Sequence, residues 1–263
     1  DLREDPIVLA RDADIPIVGD VELFAQESKL PIVAVTGSNG KSTVTRMVEF
    51  VAKQCGKNVA AAGNIGVPVL DLLLQEQHPD AVILELSSFQ LESVSSLKLK
   101  AAALMNISAD HMDRYCTLDE YVKAKQRIFT HAKTWILNRQ QQDTWPHPVT
   151  GKLMTFGNDS HPKHFGLLSG NIDRVSGPVA VTFDGSVVLR ADQLQLQGIH
   201  NLVNVQAALA LCQAIDIDIE AAVRAVKEFK GLPHRCELVS DNEGVLWVND
   251  SKATNIGATG AAV

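Results

Sequence analysis

Short, nearly unbroken apolar runs alternate along this chain with stretches in which apolar residues return every three or four positions. The runs fall at 32–35, 58–62, 81–86, 101–107 and 134–137 and predict buried strands. After the first, Val44, Met47, Val48 and Val51 sit at i, i+3, i+4 and i+7, one face of a helix. Buried strands separated by helices predict an α/β fold, with a central, mostly parallel sheet flanked by helices on both sides. The rhythm changes in "VAVTFDGSVVLRADQLQL", 179–196, where Asp184-Gly185 between two strand-like runs signals a hairpin and a small antiparallel addition. Helices are predicted over 201–214 and 219–229, the second stopped by Lys230-Gly231 with Pro233 just beyond. "CELVS", the turn "DNEG" and "VLWVND" then read as another hairpin, so a new domain is expected from about Gly231.

Composition narrows the function without choosing it. Of 263 residues, 46% are hydrophobic and 21% charged, as in ordinary globular chains. A net charge of −7 without a basic tract argues against a nucleic-acid partner. It leaves room for an anion held by a local cluster of N–H groups and a lysine. No apolar run is long enough to cross a bilayer and no signal peptide opens the sequence, so a cytoplasmic protein without a membrane partner is expected. Cys55, Cys116, Cys212 and Cys236 form no C-x-x-C and read as reduced, mostly structural thiols. The chain opens on Asp1 and stops within "GATGAAV", so it is expected to be part of a longer protein.

The strongest chemical signal is "PIVAVTGSNGKSTVTRMVEF", 31–50: strand, glycine turn, helix. Gly40-Lys41-Ser42 ends the turn as a phosphate loop does, but the spacing G-x-x-x-x-G-K-[ST] wants glycine at 35, where Val35 stands. Gly37 gives a shorter G-x-x-G-K-S. In this reading the N–H groups of Gly37, Ser38, Asn39 and Gly40 point at an anion. Lys41 reaches the outer phosphates, and Ser42 or Thr43 offers a hydroxyl to Mg²⁺. The alternative is a tight turn with a solvated lysine.

Other candidates lie near strand ends. Glu85 closes the apolar run of "AVILELSSFQLE", where ligands sit in open parallel sheets; it would hold Mg²⁺ or be satisfied by a helix N-terminus. In "NISADHMDR", 106–114, Asp110, His111 and Asp113 crowd a second strand end, with His111 a metal ligand or a structural histidine and Asp110 a possible helix cap. Lys125 falls in the apolar stripe of a helix predicted over 117–131, with Leu118, Tyr121, Val122, Phe129 and Ala132. Lys123 and Arg127 lie off the stripe as surface charges. An inward lysine is costly unless neutralised, and burial favours the nucleophilic neutral amine; the alternative is that it snorkels to solvent. Asn201 and Asn204 in "GIHNLVN" are one helical turn apart and either read a base edge or, for Asn201, cap the helix. Arg235 in "GLPHR", with Asp250 and Lys252 in "VNDSKATN", either closes over a nucleotide or lies on a surface loop.

The ordered set "GDVELF", "TGSNGKST", "GNIGVP", "ELSSFQLE", "DHMDRY", "GIHNLVN", "GLPHR" and "NDSKATN" resembles the Mur ligases, the ATP-dependent amide-forming enzymes of peptidoglycan precursor synthesis. "ELSSFQLE" and "NDSKATN" suggest the D-glutamate-adding branch. The resemblance implies ATP as cosubstrate, two Mg²⁺ ions, and UDP-N-acetylmuramoyl-L-alanine and D-glutamate as substrates of a monomeric enzyme. It implies catalytic roles for Lys41, His111 and Lys125. Metal contacts would come from Ser42, Glu85, His111 and a carbamate on Lys125. Nucleotide contacts would come from the loop 37–43 with Asn201, Asn204, Arg235, Asp250 and Lys252, and substrate contacts from Asn64, Ser87 and Thr254. It also implies domains: 1–29 as the end of a UDP-binding domain and linker, 30–230 as the ATP-binding domain, and 231–263 as the start of an amino-acid-binding domain. Rival readings are a sibling Mur ligase, a folylpolyglutamate synthase, a phosphate-loop kinase or NTPase, and a non-catalytic nucleotide-binding module. The guanine motif N-K-x-D of GTPases is absent from the sequence.

Overall fold

The computed structural model describes residues 5–168, 179–242, 244–255, 257 and 259–260. Helices α1 (Asp5–Asp12) and α2 (Asp20–Glu27) lead into β1 (Ile32–Thr36), α3 (Lys41–Gln54), β2 (Val59–Gly63), β3 (Ala81–Glu85), α4 (Ser88–Glu92) and β4 (Leu99–Leu104). Then come α5 (Leu118–Gln126), β5 (Ala132–Asn138), β6 (Lys152–Phe156), β7 (Gly166–Leu168), β8 (Ala180–Phe183) and β9 (Ser186–Arg190). Helices α6 (Ile199–Ala214) and α7 (Ile219–Val226) and strands β10 (Glu237–Asn242) and β11 (Val245–Asn249) complete the described elements.

β1–β6 form one parallel sheet in the order β2-β3-β1-β4-β5-β6. Every residue of β1 and β3 is buried, which is why these strands read as unbroken apolar runs. Side chains alternate across the sheet. Val33 and Val35 join the layer of α3, α6 and α7, while Ile32 and Ala34 join that of α2, α4 and α5. Val44, Met47, Val48 and Val51 of α3 are all fully buried. At roughly 1.5–3 kcal/mol each, their burial fixes the register of the helix and so the position of its N-terminus.

The antiparallel addition is a three-stranded sheet, β7-β8-β9, turning between β8 and β9 at Asp184-Gly185 as predicted. β10 and β11 pair separately, with Glu243 of the predicted turn outside the described residues. The reading missed β6, whose pattern is only half buried and opens on an exposed lysine. It also ran two helices too long. α7 ends at Val226, and α5 ends at Gln126, where a 3-10 turn over Arg127–Phe129 takes over. Leu118 of the predicted stripe is exposed and Ala132 belongs to β5. Arg127 is no idle surface charge. Its guanidinium donates to the carbonyls of Leu91 at 2.7 Å and Val94 at 2.9 Å, capping the chain leaving α4.

α2 is held by one buried carboxylate. Glu22 accepts from the amides of Ser95 at 2.7 Å and Ser96 at 3.0 Å, from the Ser95 hydroxyl at 3.1 Å and from Gln26 at 3.1 Å. Burial alone would push this carboxyl up, but the two amides outweigh it and bring its pKa from 4.5 down to about 2. Folding therefore favours the ionised form. The stabilisation is complete above 4.5 and is lost as pH falls through about 2. Glu22→Gln is expected to cost about 2 kcal/mol at neutral pH, with the gap to wild type narrowing as the solution is acidified. Urea unfolding across pH 3–7 reads this directly; a gap independent of pH would rule it out.

Candidate active site at the carboxyl edge of the sheet

The phosphate loop begins only after β1. Val35 is fully buried in the sheet, paired in register with Glu85, so no glycine is needed there. Gly37 has φ +147°, and a Cβ on it would meet the Met105 Cβ at 2.9 Å. Gly40 has φ +84°, and a Cβ there would lie 2.7 Å from the Asn204 side-chain oxygen. The two glycines let the loop pass close to Met105, just after β4, and to Asn204 of α6.

Two ammonium groups converge on one carbonyl of this loop. Lys41 Nζ donates to the Gly37 carbonyl at 2.9 Å and to that of Ser38 at 3.0 Å, and Lys125 Nζ donates to the same Gly37 carbonyl at 2.9 Å. Lys125 is only 2% exposed, and its ammonium lies 4.6 Å from the centroid of the Tyr121 ring. Burial, then the neighbouring Lys41, pushes its pKa from 10.5 down to about 7. Burial also lowers that of Lys41, with Glu85 opposing. Lys125 does face inward, as the helix pattern implied, and it does not snorkel out.

Glu85, 1% exposed, ends β3 beside them. One carboxylate oxygen accepts from the Asn64 amide at 2.9 Å; the other is buried with no hydrogen-bond partner. An unpartnered buried carboxylate oxygen is expensive in a protein alone and is what a hard divalent cation would take up. The Ser42 hydroxyl accepts from Arg235 at 3.1 Å.

His111 has φ +56° and is half exposed, its ring edge-on to Phe89 at 4.9 Å and to Tyr121 at 6.3 Å. Tyr121 thus carries Lys125 over its ring and His111 against it. Among the described residues, no group of three or more His, Cys, Asp and Glu side chains is arranged to hold a metal. Asp110 accepts from the following amide, that of His111, at 3.0 Å, and Asp113 is exposed. Ser87 caps α4 in a reciprocal pair with Gln90.

A cavity of about 410 Å³ opens beside the loop, lined among others by Asn39, Gly40, Thr43, Asn201, Asn204, Arg235 and Asp250. Asn201 is not the cap of α6. Gly198 holds that position, and the Asn201 amide donates back to the Gln197 carbonyl at 2.7 Å while its oxygen faces Asn204 at 3.4 Å. Lys252 and Thr254 are exposed and lie outside the cavity lining. Two further amides, which the sequence motifs do not mark, shape this edge. Asn106 brackets Asn39, accepting from its N–H at 2.8 Å and donating to its carbonyl at 3.0 Å. Gln141 does the same for Ile107, at 2.6 Å and 2.9 Å. Asn106 is the one polar residue of the run 101–107, and that is the signal the sequence offers for it.

Fold and site together define a phosphate-loop α/β domain. The profile of the Mur ligase middle domain matches residues 35–212, and the chain belongs to the Mur ligase family. It is 99% identical over 263 residues to a UDP-N-acetylmuramoylalanine--D-glutamate ligase of Idiomarina loihiensis, covering all of this chain and 57% of that protein. The correspondingly named protein of Vibrio campbellii is 51% identical over 257 residues, covering 97% of this chain and 56% of that one. The chain thus spans a little over half the length of these curated relatives. Among solved structures, MurF from Acinetobacter baumannii superposes with a TM-score of 0.71 at 19% identity, covering 90% of this chain and 54% of that one. MurF ligase from Thermotoga maritima in complex with ADP gives 0.71 at 18%, covering 94% and 60%. At such identities the likeness is one of fold.

Proposed function

We propose that the enzyme carrying this chain is an ATP-dependent ligase that adds D-glutamate to UDP-N-acetylmuramoyl-L-alanine. The observation that carries the reading is the convergence of Lys41 and Lys125 on the Gly37 carbonyl beside the half-satisfied carboxylate of Glu85. The names of the relatives supply the substrates. Residues 30–230 are read as the ATP-binding domain, 1–29 as the end of a UDP-binding domain and linker, and 231–263 as the start of the amino-acid-binding domain. The separate pairing of β10 with β11 supports the last boundary. A monomeric, cytoplasmic enzyme is part of the same reading. Among the described residues, no helix is long and apolar enough to cross a membrane.

In this mechanism a carboxylate oxygen of the muramoyl-alanine attacks the γ-phosphorus of ATP, and ADP leaves. The acyl phosphate so formed is attacked at its acyl carbon by the amine of D-glutamate, which gives up a proton as inorganic phosphate departs and the amide forms. Lys41 stabilises the charge on the transferring phosphoryl group, helped by the loop N–H groups and the N-terminus of α3. Asn201, Asn204, Arg235, Asp250 and Lys252 hold the nucleotide, and Asn64, Ser87 and Thr254 the other substrates. Ser42 and Glu85 would hold one Mg²⁺, and His111 with a carbamylated Lys125 a second. Mg²⁺ would neutralise phosphate charge and orient its oxygens. The neutral Lys125 amine is the form that captures CO₂; loss of a proton then leaves an anionic carbamate.

The full-length enzyme, given ATP, Mg²⁺, UDP-N-acetylmuramoyl-L-alanine and a panel of amino acids, is expected to release phosphate only with D-glutamate and in step with amide formation. Phosphate release without any amino acid would overturn the ligase reading in favour of an NTPase, and preference for another amino acid would point to a sibling.

A further inference from the structure

Asn255 closes the motif "NDSKATN", and none of the roles above uses it. It lies 216 residues from Asn39, yet the two side chains form a reciprocal amide pair. Asn39 Nδ2 donates to Asn255 Oδ1 at 3.2 Å, and Asn255 Nδ2 donates to Asn39 Oδ1 at 3.1 Å. The same Asn255 Nδ2 donates to a carboxylate oxygen of Asp110 at 3.2 Å. Because a carboxylate only accepts, Asp110 dictates which end of the Asn255 amide faces it, and the pairing with Asn39 follows. Asn39 also donates to the Ser108 hydroxyl at 3.3 Å, while Asn106 grips its backbone from the other side. The middle of the phosphate loop is therefore clasped twice, by its backbone from the end of β4 and by its side chain from the segment after β11.

We infer that Asn255 is a positioning residue which ties the segment after β11 to the phosphate loop and to Asp110. This inference rests on the proposed function. That segment carries Asp250, Lys252 and Thr254, and Asp110 precedes His111 in the stretch that follows β4. One side chain thus registers three segments that must meet around the γ-phosphate. It explains why the position holds asparagine. Aspartate would lose both donations and set a second carboxylate against Asp110. Asn255 does not itself line the cavity, so its influence is on alignment more than on nucleotide affinity.

In the full-length enzyme, Asn255→Ala is expected to lower kcat about tenfold or more while the KM for ATP stays within about threefold, and Asn255→Asp to lower kcat further. Combining Asn255→Asp with Asp110→Asn returns an amide opposite a carboxylate, so the double variant is expected to exceed the product of the two single losses. Single losses that simply multiply, wild-type kcat in Asn255→Ala, or a change confined to the KM for ATP would each overturn the inference. Amide hydrogen exchange at residues 38–40 gives a readout independent of turnover. Exchange is expected to quicken about tenfold in both single Asn255 variants and to slow again in the double variant. Ligase turnover with unchanged exchange sinks the clasp. An exchange response in an enzyme without ligase turnover sinks the ligase reading and leaves the clasp standing.

Discussion

Lys41→Met is expected to abolish most of the turnover of the full-length enzyme proposed above, by about 10²–10³-fold in kcat, and to leave the fold intact. The size follows from removing one preorganised cation aimed at a developing phosphoryl charge. The sparing of the fold follows from where the helix gets its stability. α3 is anchored by Val44, Met47, Val48 and Val51, not by its first side chain. Methionine keeps the length of the stem and gives up only the bonds to the Gly37 and Ser38 carbonyls. Arginine is no conservative alternative, since its planar fork cannot fold over two neighbouring loop carbonyls as a compact ammonium does. Steady-state kinetics with a thermal unfolding curve on the same sample test this; turnover within tenfold of wild type would remove Lys41 from the phosphoryl-transfer step.

Lys125→Ala is the second large effect, and it separates a metal-holding carbamate from an ordinary buried lysine. Loss of at least about 10²-fold in kcat is expected, with partial recovery when a short-chain carboxylate such as acetate is added. The variant removes a side chain that is 2% exposed, and the space left beneath Tyr121 can admit a small carboxylate to replace the missing anion. Lys125→Met is the matched control: it fills the same volume, so the added carboxylate should rescue it far less. Near wild-type turnover of Lys125→Ala without any addition would eliminate the carbamate. Equal rescue of both variants would show that the carboxylate acts elsewhere.

Much of this molecule is legible one segment at a time. β1 and β3 are close to where unbroken apolar runs put them, because strands buried on both faces have no polar positions to hide, and β2 and β5 follow through their buried centres. Lys125 reads as inward because Tyr121 and Lys125 are one turn apart on the same face of α5, and both prove buried. The deviations come where local periodicity competes with a distant partner. Arg127 looks like a surface charge until the end of α4 presents two carbonyls to it. β6 is hard to see in "KLMTF" because only its last two residues are buried, so no apolar run marks it.

Local spacing already carries the strand–loop–helix unit, the type of sheet, and the side chains whose chemistry suits phosphate and metal. These depend on spacings of two to seven residues, which the chain carries locally. It takes the assembled fold to make Lys41 and Lys125 share the Gly37 carbonyl, to leave one Glu85 oxygen unpartnered, and to close Asn255 on Asn39. The order β2-β3-β1-β4 sets the ends of β3 and β4 on either side of the loop after β1. That adjacency is fixed by how helices and strands exclude water together, and no local pattern in the chain encodes it.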